Sequence, residues 1–423
     1  MKYKKTILDN GLRIITVPMK DNPTVTVLVL VEVGSKYETK EISGISHFLE
    51  HLCLKGTESR PTSFDIAKEF DELGAQHNAF TGHELMGFYA KAQPRHLSKL
   101  LDIISDVYLN PTFPSEEIEK EKGVVIDEIS MYEDMPQQKA GEFFMELLYG
   151  DQPVGWKILG DKKNIRNMTR NEIVKYRACH YVAGATSVIV AGGDFEEKKL
   201  LKEIEKKFTT ISSGKKGKKK RTVEKQTKPN LLVKNKKTDQ THLVLGVRTF
   251  GMHSKNKAAL NVLRGVLGGG RSSRLYQKLK DEMGVGYYLF ASNDFFTDHG
   301  LFTVNTGVDN KRVPEVIEAI LGEFRKTTEE LVSEKELKKA KDYITGNIML
   351  GLESSDSIAE YYGIQEILKK EVTEPRKFVA DIRAVTSADI RAVARKIFRD
   401  ERLNLALVGP FKDEKQFKKI LKF

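Results

Sequence analysis

The chain has 423 residues, of which 40% are apolar and 30% charged, and its formal net charge is +11. This length exceeds what a single core usually supports and predicts two domains with substantial cores. No uninterrupted apolar stretch approaches about 18 residues, and no apolar segment follows the basic N-terminus, so neither a membrane span nor a secretory signal is expected.

The positive charge is concentrated in one segment. Residues 211–230 contain eight Lys or Arg residues and one Glu, which accounts for seven of the eleven net positive charges. The segment is also rich in Gly and Ser and almost free of apolar residues, a composition typical of a solvated linker. We therefore predict a basic linker over residues 211–229 and no nucleic-acid partner.

Runs rich in Val, Ile and Thr predict strands at the start and near the end of each half. Between the strands of the first half, helical periodicity begins at Ser115, and Glu116 and Glu117 fall in the first turn, where the helix dipole favours negative charge. This mixture predicts an α+β fold in which each domain is a largely antiparallel β-sheet packed with helices. In chain order the predicted elements are strands 12–17 and 24–33, a long helical run 115–148, and strands 187–191, 243–249 and 403–408.

The two halves resemble each other at a constant offset of 217 residues. One offset that serves both ends of the repeat without a gap indicates an internal duplication. We therefore predict two homologous domains, residues 1–210 and 230–423, on either side of the linker. The matched pairs are Thr24 and Thr241, Val27 and Val244, Leu28 and Leu245, Gly34 and Gly251, Thr169 and Thr386, Ile173 and Ile390, and Gly192 and Gly409.

One short motif carries specific chemistry. His47, Glu50 and His51 form the pattern His-x-x-Glu-His. On a helix, histidines four residues apart project from one face and can bind one metal ion, while the glutamate remains free to accept a proton from water. This order is the inverzincin signature, the reverse of His-Glu-x-x-His. A solvated helix face is the alternative interpretation, but apolar residues flank the motif, and buried charges are costly unless they are paired or bind metal.

The second half provides an internal control for this interpretation. At the offset of the repeat, the motif positions hold Arg264, Leu267 and Gly268. A structural role would require the motif in both domains, whereas a metal-dependent reaction requires it in only one. We therefore expect one zinc ion per chain, bound by the first domain.

A catalytic zinc site usually has a third protein ligand. The long predicted helix offers Glu121 and Glu128, which are seven residues apart and therefore lie on one helix face. Spacing alone does not choose between them.

The chain contains two cysteines, Cys53 and Cys179, without the paired spacing of a disulfide framework. We expect no structural disulfide and a reducing compartment, the cytoplasm. Cys53 lies two residues after His51, so on a helix it points away from the motif face and is expected to be a buried thiol rather than a ligand.

Together these motifs resemble the pitrilysin and mitochondrial processing peptidase family of zinc metallopeptidases over nearly the full chain. The resemblance rests on residues 44–51, 55–57, 78–81 and 121–128. It implies that Glu128, 77 residues after His51, is the third zinc ligand and that Glu121 supports the site from beside the ligands.

The same resemblance implies a strand that recognises substrate. Asn78, Ala79, Phe80 and Thr81 match the edge strand that pairs with an extended substrate backbone in this family. An ordinary edge strand without a binding role is the alternative interpretation.

The second half resembles the family in the glycine-rich run at residues 267–275. The run is not followed by the Gly-Lys-Ser/Thr of a nucleotide-binding loop, so phosphate binding is not expected. Family members then carry an Arg and a Tyr seven residues apart, which steady the substrate and the tetrahedral intermediate. Tyr287 matches the Tyr, but Lys280 stands at the Arg position and provides a point charge rather than a bidentate fork.

The resemblance implies a zinc-dependent endopeptidase that hydrolyses extended or unfolded peptides, with Glu50 as the base and Tyr287 at the oxyanion. Family enzymes enclose peptides in a clamshell of four such domains, so this chain, closest to the short bacterial-type members, is expected to form a homodimer. Alternatives are a catalytically silent scaffold subunit and an organellar presequence-processing subunit that pairs with a related chain. The intact motif argues against the first, and the lack of a transit peptide argues against the second.

Overall fold

The computed structural model describes residues 2–423 and divides the chain into two compact units, each built on one β-sheet. The first unit comprises the chain up to Ser130, Trp156–Lys220 and Leu350–Thr373, and the second comprises Met131–Gly155, Arg221–Met349 and Glu374–Phe423. The predicted ranges 1–210 and 230–423 therefore describe the sequence repeat, whereas each compact unit also contains a segment from the other half.

The five predicted strands are confirmed, with ends that shift by at most about three residues. They correspond to β2, β3, β6, β8 and β11 in the complete set. In chain order the strands are β1 (Lys4–Ile7), β2 (Arg13–Val17), β3 (Val25–Val31), β4 (Gln76–Thr81), β5 (Met86–Ala92), β6 (Thr186–Gly192), β7 (Asn230–Asn235), β8 (Gln240–Thr249), β9 (Leu289–Phe295), β10 (Gly300–Asp309) and β11 (Leu403–Gly409).

The helices pack around the two sheets, and none within residues 2–423 has the length and apolar character needed to cross a bilayer. In chain order they are α1 (Ile45–Cys53), α2 (Ser63–Glu72), α3 (Leu97–Leu109), α4 (Ser115–Asp134), α5 (Pro136–Tyr149), α6 (Lys162–Asn167), α7 (Arg170–His180), α8 (Glu197–Lys207), α9 (Lys257–Gly268), α10 (Arg274–Tyr276), α11 (Val313–Glu329), α12 (Glu334–Gly351), α13 (Ser355–Lys369), α14 (Pro375–Ala384), α15 (Ser387–Ile397) and α16 (Lys415–Ile420). Helix α10 continues as a π-helix over Gln277–Glu282.

The prediction of one long helical run over residues 115–148 is wrong. The run divides into α4 and α5 at Met135, whose backbone is extended with φ −92° and ψ 98°. Pro136 explains the break, because proline lacks an N–H group and disfavours a helical conformation in the residue before it.

The first sheet has the strand order β1-β2-β6-β3-β5-β4, and among the described strands of this sheet only β2 and β6 pair in parallel. Its central strand β3 is buried at every residue. Alternate side chains from Val25 to Val31 join the main core on one face, while Leu30 lies against Gly363 of α13 on the other. Burial on both faces explains why this strand is apolar at every residue except Thr26.

The second sheet repeats this arrangement. Its order, β7-β11-β8-β10-β9, matches β2-β6-β3-β5-β4, and its parallel pair, β7 and β11, corresponds to β2 and β6. Helices α7 and α15 lie at the offset of the repeat, and each begins at a threonine that forms a capping box, Thr169 with Glu172 and Thr386 with Asp389. These observations confirm the duplicated, largely antiparallel α+β fold.

One helix from each half covers the sheet formed mainly by the other half. Helix α5 packs on β8 and β11, where Phe144 and Leu148 share a small core with Val244. Helix α13 packs on β3 and β6, and the hydroxyl of Ser355 lies 2.8 Å from that of Thr24. The two exchanged helices occupy equivalent places in the repeat, so the exchange is reciprocal.

The predicted basic linker contains neither helix nor strand over residues 211–229, all of which are described. Most of these residues are exposed. Two of its lysines nevertheless form ion pairs with the first unit: Lys216 Nζ lies 2.8 Å from Glu32 Oε2, and Lys219 Nζ lies 2.6 Å from Glu84 Oε1. The first part of the segment is therefore held against the first sheet.

Replacing Gly363 by Leu is expected to destabilise the protein. A Cβ at this position would lie 2.8 Å from Leu30 Cδ1 and 3.0 Å from Ile189 Cδ1, so a larger side chain would push α13 off the sheet at a cost of about 1–3 kcal/mol. The free energy of unfolding, measured in urea, tests this. Gly123→Leu is the matched control, because Gly123 lies within a helix of the same unit and a Cβ there meets no atom within 4 Å. Equal effects of the two substitutions would contradict the close packing of α13.

Candidate metal centre

The helix that carries the motif, α1, begins at a fixed point. Gly44 adopts a left-handed conformation with φ 97°, and a Cβ there would lie 2.6 Å from the carbonyl oxygen of Leu159, so only glycine fits. The buried carboxylate of Glu38 accepts hydrogen bonds from the backbone N–H groups of Gly44, at 2.7 Å, and Ser46, at 2.9 Å. Glu38 thus satisfies donors that have no partner within the helix.

Burial raises the pKa of Glu38 to about 7, although the two N–H groups oppose this shift. Sequence reasoning missed this residue. Glu38 lies six residues before Gly44, whose N–H group it accepts, and it matches no motif. Only the tertiary structure therefore identifies it.

Three side chains converge at one point beside α1. His47 Nε2 and His51 Nε2 are 3.3 Å apart, and Glu128 Oε2 of α4 lies 3.6 Å from His47 Nε2 and 3.5 Å from His51 Nε2. Ligands held at 2.0–2.1 Å in tetrahedral geometry would be separated by about 3.3 Å. These separations therefore fit a single zinc ion without rearrangement.

The state of these atoms also fits a metal. Glu128 Oε2 is buried and has no hydrogen-bond partner among residues 2–423, an unfavourable state unless a ligand compensates it. Burial, together with the nearby His51, lowers the pKa of His47 to about 4, so this imidazole is neutral at pH 7 and has a lone pair to donate. Burial raises the pKa of Glu128.

Glu121 lies beside the three converging side chains rather than among them. Its Oε1 is 2.7 Å from His51 Nδ1, and its Oε2 is 2.7 Å from Lys55 Nζ. A proton on Nδ1 donated to this carboxylate leaves Nε2 of His51 unprotonated and directed at His47 and Glu128. His47 Nδ1 has no equivalent partner among residues 2–423. The two glutamates that spacing could not distinguish therefore have different contacts: Glu128 lies near the Nε2 atoms of both histidines, and Glu121 contacts Nδ1 of His51.

The charges around His51 and Glu121 stabilise each other. Burial alone would lower the pKa of His51, but the hydrogen bond and charge of Glu121 raise it above its ordinary value. Burial would likewise raise the pKa of Glu121, but the hydrogen bonds from His51 and Lys55 lower it. Lys55 belongs to one of the motifs recognised in the sequence, but the motif did not predict its ion pair with Glu121.

Glu50 lies on the same helix but contacts none of the three converging atoms by a hydrogen bond within residues 2–423. Its Oε2 accepts a hydrogen bond of 2.5 Å from the hydroxyl of Thr81, at the end of β4. Burial raises the pKa of Glu50, and the bond from Thr81 opposes that shift. A half-buried carboxylate with a raised pKa is a stronger base than a free glutamate, a property that suits proton transfer.

Strand β4, which contains Asn78 to Thr81, lies at the edge of the first sheet and, within the described residues, pairs only with β5. The predicted edge position is therefore confirmed. Ala79 is buried against the core on the side of α1, whereas Asn78 is exposed and its Oδ1 accepts the backbone N–H of Ala79 at 2.9 Å. The outer edge of β4 is thus unpaired with any described strand, and the N–H of Ala79 on it is bonded to Asn78 Oδ1.

Lys280 and Tyr287 belong to the second unit, whereas the three converging side chains belong to the first. Lys280 lies in the π-helical turn, and Tyr287 lies in the following loop with a side chain 64% exposed. Helix α9, the counterpart of α1, carries Arg264, Leu267 and Gly268 at the positions equivalent to the motif.

Comparison with known proteins matches each half of the chain to a sequence model of the same peptidase family. A sequence model described as insulinase (peptidase family M16) matches residues 13–162, and one described as the peptidase M16 inactive domain matches residues 167–344. The chain is 32% identical over 410 residues to the uncharacterized zinc protease YmxG of Bacillus subtilis, with 96% of this chain and 98% of that protein covered. It is 32% identical over 413 residues to an uncharacterized zinc protease of Mycobacterium leprae, with coverage of 97% and 92%.

Two solved structures share the fold. A protease from Helicobacter pylori superposes with a TM-score of 0.91 at 24% identity, covering 97% of this chain and 99% of that one. A structure described as a peptidase M16 inactive domain from Pseudomonas fluorescens superposes with a TM-score of 0.88 at 18% identity, with the same coverage. At these identities the likeness establishes the fold.

Replacing Glu38 by Ala is expected to lower the free energy of unfolding by about 1–3 kcal/mol, because two buried N–H groups of α1 lose their acceptor. The folded pKa of about 7 lies above the ordinary 4.5, so the contribution of Glu38 is complete below pH 4.5 and decreases as the pH rises through 7. The difference between wild type and variant should therefore be larger at pH 5 than at pH 8. Urea unfolding at both pH values measures it, with the exposed Glu41→Ala as control. A difference that grows with pH would contradict this account.

Proposed function

We propose, on the premise that this chain belongs to the insulinase family of peptidases (peptidase family M16), that it is a zinc-dependent endopeptidase acting on extended or unfolded peptides. Relatives of similar length that are named zinc proteases support both the metal and the reaction. The observation that carries the proposal is the convergence of His47, His51 and Glu128, whose ligand atoms all lie within 4.8 Å of one another.

In this proposal His47 and His51 bind zinc through Nε2, and Glu128 binds it through Oε2. When bound, zinc would act as a Lewis acid on the peptide carbonyl and would lower the pKa of a water molecule at the site. Glu121 and Lys55 form a charged pair that fixes the orientation of the His51 ring. The second unit has no equivalent set at its motif positions, which supports one ion per chain.

Glu50 would act as the general base. It accepts a proton from the attacking water and later donates that proton to the leaving amine. Its half-buried position and raised pKa support both steps, because a carboxylate in water would be a weaker base and would hold the proton poorly. Its hydrogen bond to Thr81 keeps it turned toward β4 and away from the ligand role.

Strand β4 would bind substrate by pairing with its backbone. The free edge at Asn78, Ala79, Phe80 and Thr81 ends beside Glu50, so a peptide added to this edge would run past the base. Backbone pairing requires an extended chain and tolerates varied side chains, which supports a preference for unfolded peptides.

Lys280 and Tyr287 would complete the site, with Tyr287 donating to the oxyanion and Lys280 adding positive charge. We infer from the resemblance to four-domain family enzymes that these residues serve the zinc site of a partner chain in a homodimer. The high exposure of Tyr287 supports a role toward another molecule. Both cysteines are free, which supports a reducing compartment such as the cytoplasm.

A silent scaffold subunit is a weaker alternative, because the cluster of His47, His51 and Glu128 and the hydrogen bond between Thr81 and Glu50 support a reactive site. A presequence-processing subunit would share this chemistry and differ in its partner and substrate.

Substitutions should separate metal binding from chemistry. Glu50→Gln is expected to retain about one zinc per chain and to lower kcat by about 10²–10⁴-fold, because the amide cannot accept the proton. The double variant His47→Ala, His51→Ala and the variant Glu128→Gln should lose zinc, whereas Glu121→Gln should weaken zinc affinity by about 10–100-fold. Elemental analysis and cleavage of a peptide library, with and without chelator, measure both properties.

The exposed Glu72→Gln serves as the control for these measurements. Zinc that persists after loss of both histidines would refute the metal site. If Glu121→Gln removes the metal and Glu128→Gln does not, the roles of the two glutamates are reversed.

Subunit exchange tests whether Tyr287 acts in the partner chain. Glu50→Gln and Tyr287→Phe are each expected to impair a homodimer, and mixed dimers should contain one site with both lesions and one site with neither. Activity should therefore reappear on mixing to about one quarter of the wild-type level, since half the dimers are mixed and each has one intact site. Mixing Glu50→Gln with Glu128→Gln is the control, because both lesions lie in the same unit and no intact site can form. Confirmed exchange without recovery would show that the site is built within one chain or with a different partner.

A further inference from the structure

The hydroxyl of Thr81 makes the hydrogen bond that orients Glu50. Thr81 Oγ1 donates to Glu50 Oε2 at 2.5 Å, and Oε1 accepts no hydrogen bond from residues 2–423. One carboxylate oxygen is therefore held and the other is left for a proton. We propose that Thr81 is a positioning residue that aligns Glu50 and couples that alignment to substrate pairing on β4, an inference that rests on the proposed function.

Thr81 is itself held in place by the turn that follows it. The turn at residues 82–85 is bound to the loop after β3, where Ser35 N–H donates to Gly82 O at 3.3 Å and Lys36 N–H donates to His83 O at 2.9 Å. Lys36 Nζ also lies 3.1 Å from Glu84 Oε1, and both side chains are almost fully buried. A buried charged pair of this kind is costly to separate, so the end of β4 cannot drift relative to the loop.

The same loop also fixes the helix that carries Glu50. Two residues beyond Lys36, Glu38 accepts the N–H groups at the start of α1. The loop at residues 34–38 therefore sets the positions of both partners of the hydrogen bond, Thr81 at the end of the strand and Glu50 on the helix. Because the backbone holds both partners in place, the hydrogen bond between Thr81 and Glu50 can fix the orientation of the Glu50 side chain.

The backbone of Thr81 faces the free edge of the sheet. Gly82 N–H donates to Leu85 O at 2.8 Å, so these two residues form a hydrogen-bonded pair across the turn. Such pairs alternate along an antiparallel ladder, so the backbone groups of Thr81 and Ala79 point away from β5. A peptide that pairs with β4 would therefore bind the residue whose side chain orients the base. In this proposal Thr81 serves both roles, because its backbone pairs with the substrate and its hydroxyl aligns Glu50.

Three substitutions at Thr81 test this role. Thr81→Val keeps the shape and removes the hydroxyl, and it is expected to lower kcat by about 10–100-fold while KM stays within about threefold and zinc content is unchanged. Thr81→Ser keeps the hydroxyl and should restore most of kcat. Thr6→Val is the matched control, because Thr6 lies in β1 at the opposite edge of the same sheet and should leave kcat unchanged.

A double-mutant cycle isolates the contact. In the Glu50→Gln background, Thr81→Val should cause no further loss of kcat, because the carboxylate that it orients is absent. Serine that fails to restore kcat, a loss that falls on KM alone, or full additivity with Glu50→Gln would each overturn the proposal.

The proposal and the function on which it rests can fail separately. If the zinc-loaded wild type cleaves no peptide, the proposed function is refuted. The same four proteins then still report on the contact through their unfolding midpoints in urea, where non-additivity between Thr81→Val and Glu50→Gln supports the hydrogen bond and additivity refutes it.

Discussion

Two hydrogen bonds from the start of α1 to the buried carboxylate of Glu38 set the position of the helix on which the site depends. His47 and His51 point at one place only because α1 starts at a fixed residue and they lie one turn apart along it. Glu50 lies between the two histidines on that helix, so the same cap also determines where the Glu50 carboxylate meets Thr81 of β4. The helix start is thus held by a buried acid whose pKa is raised by burial to about 7.

The duplication supplies the scaffold, and its two copies differ in chemistry. The sheets share strand order and parallel pair, and α7 and α15 share their capping boxes. In the first copy, α1 carries His47 and His51, which face Glu121 and Glu128 of α4. In the second copy, α9 carries Arg264, Leu267 and Gly268 at the equivalent positions, and Leu267 packs into the core of its unit. A duplicated fold can therefore keep the architecture that positions a site while only one copy retains the reactive groups.

Some features could be predicted from the sequence because they depend on local spacing. The i, i+4 histidines, the buried strand β3 and the repeat offset are of this kind. Pro136 also indicated a helix break, but the helical periodicity continued across it and led to the prediction of one long run. Glu121 and Glu128 could not be distinguished, because residues seven apart share a helix face and only distances to His51 separate their contacts. Glu38 and the hydroxyl contact of Thr81 depend on tertiary structure alone, and neither has a sequence spacing that signals it. The exchange of α5 and α13 was likewise invisible, because an amphipathic helix does not specify which sheet it will cover.

That exchange has a consequence for biosynthesis. The face of β3 that contains Leu30 is covered by α13, which lies more than 300 residues further along the chain. At roughly 5–20 residues per second, the ribosome needs on the order of 10–30 s to proceed from the end of the first-half segments to α13. Throughout that interval the nascent first sheet exposes an apolar face, and contacts of such large sequence separation form slowly. The first unit is therefore complete only after α13 has been made, when 54 of the 423 residues remain (423 − 369), and a chaperone that shields the open face would act before that point.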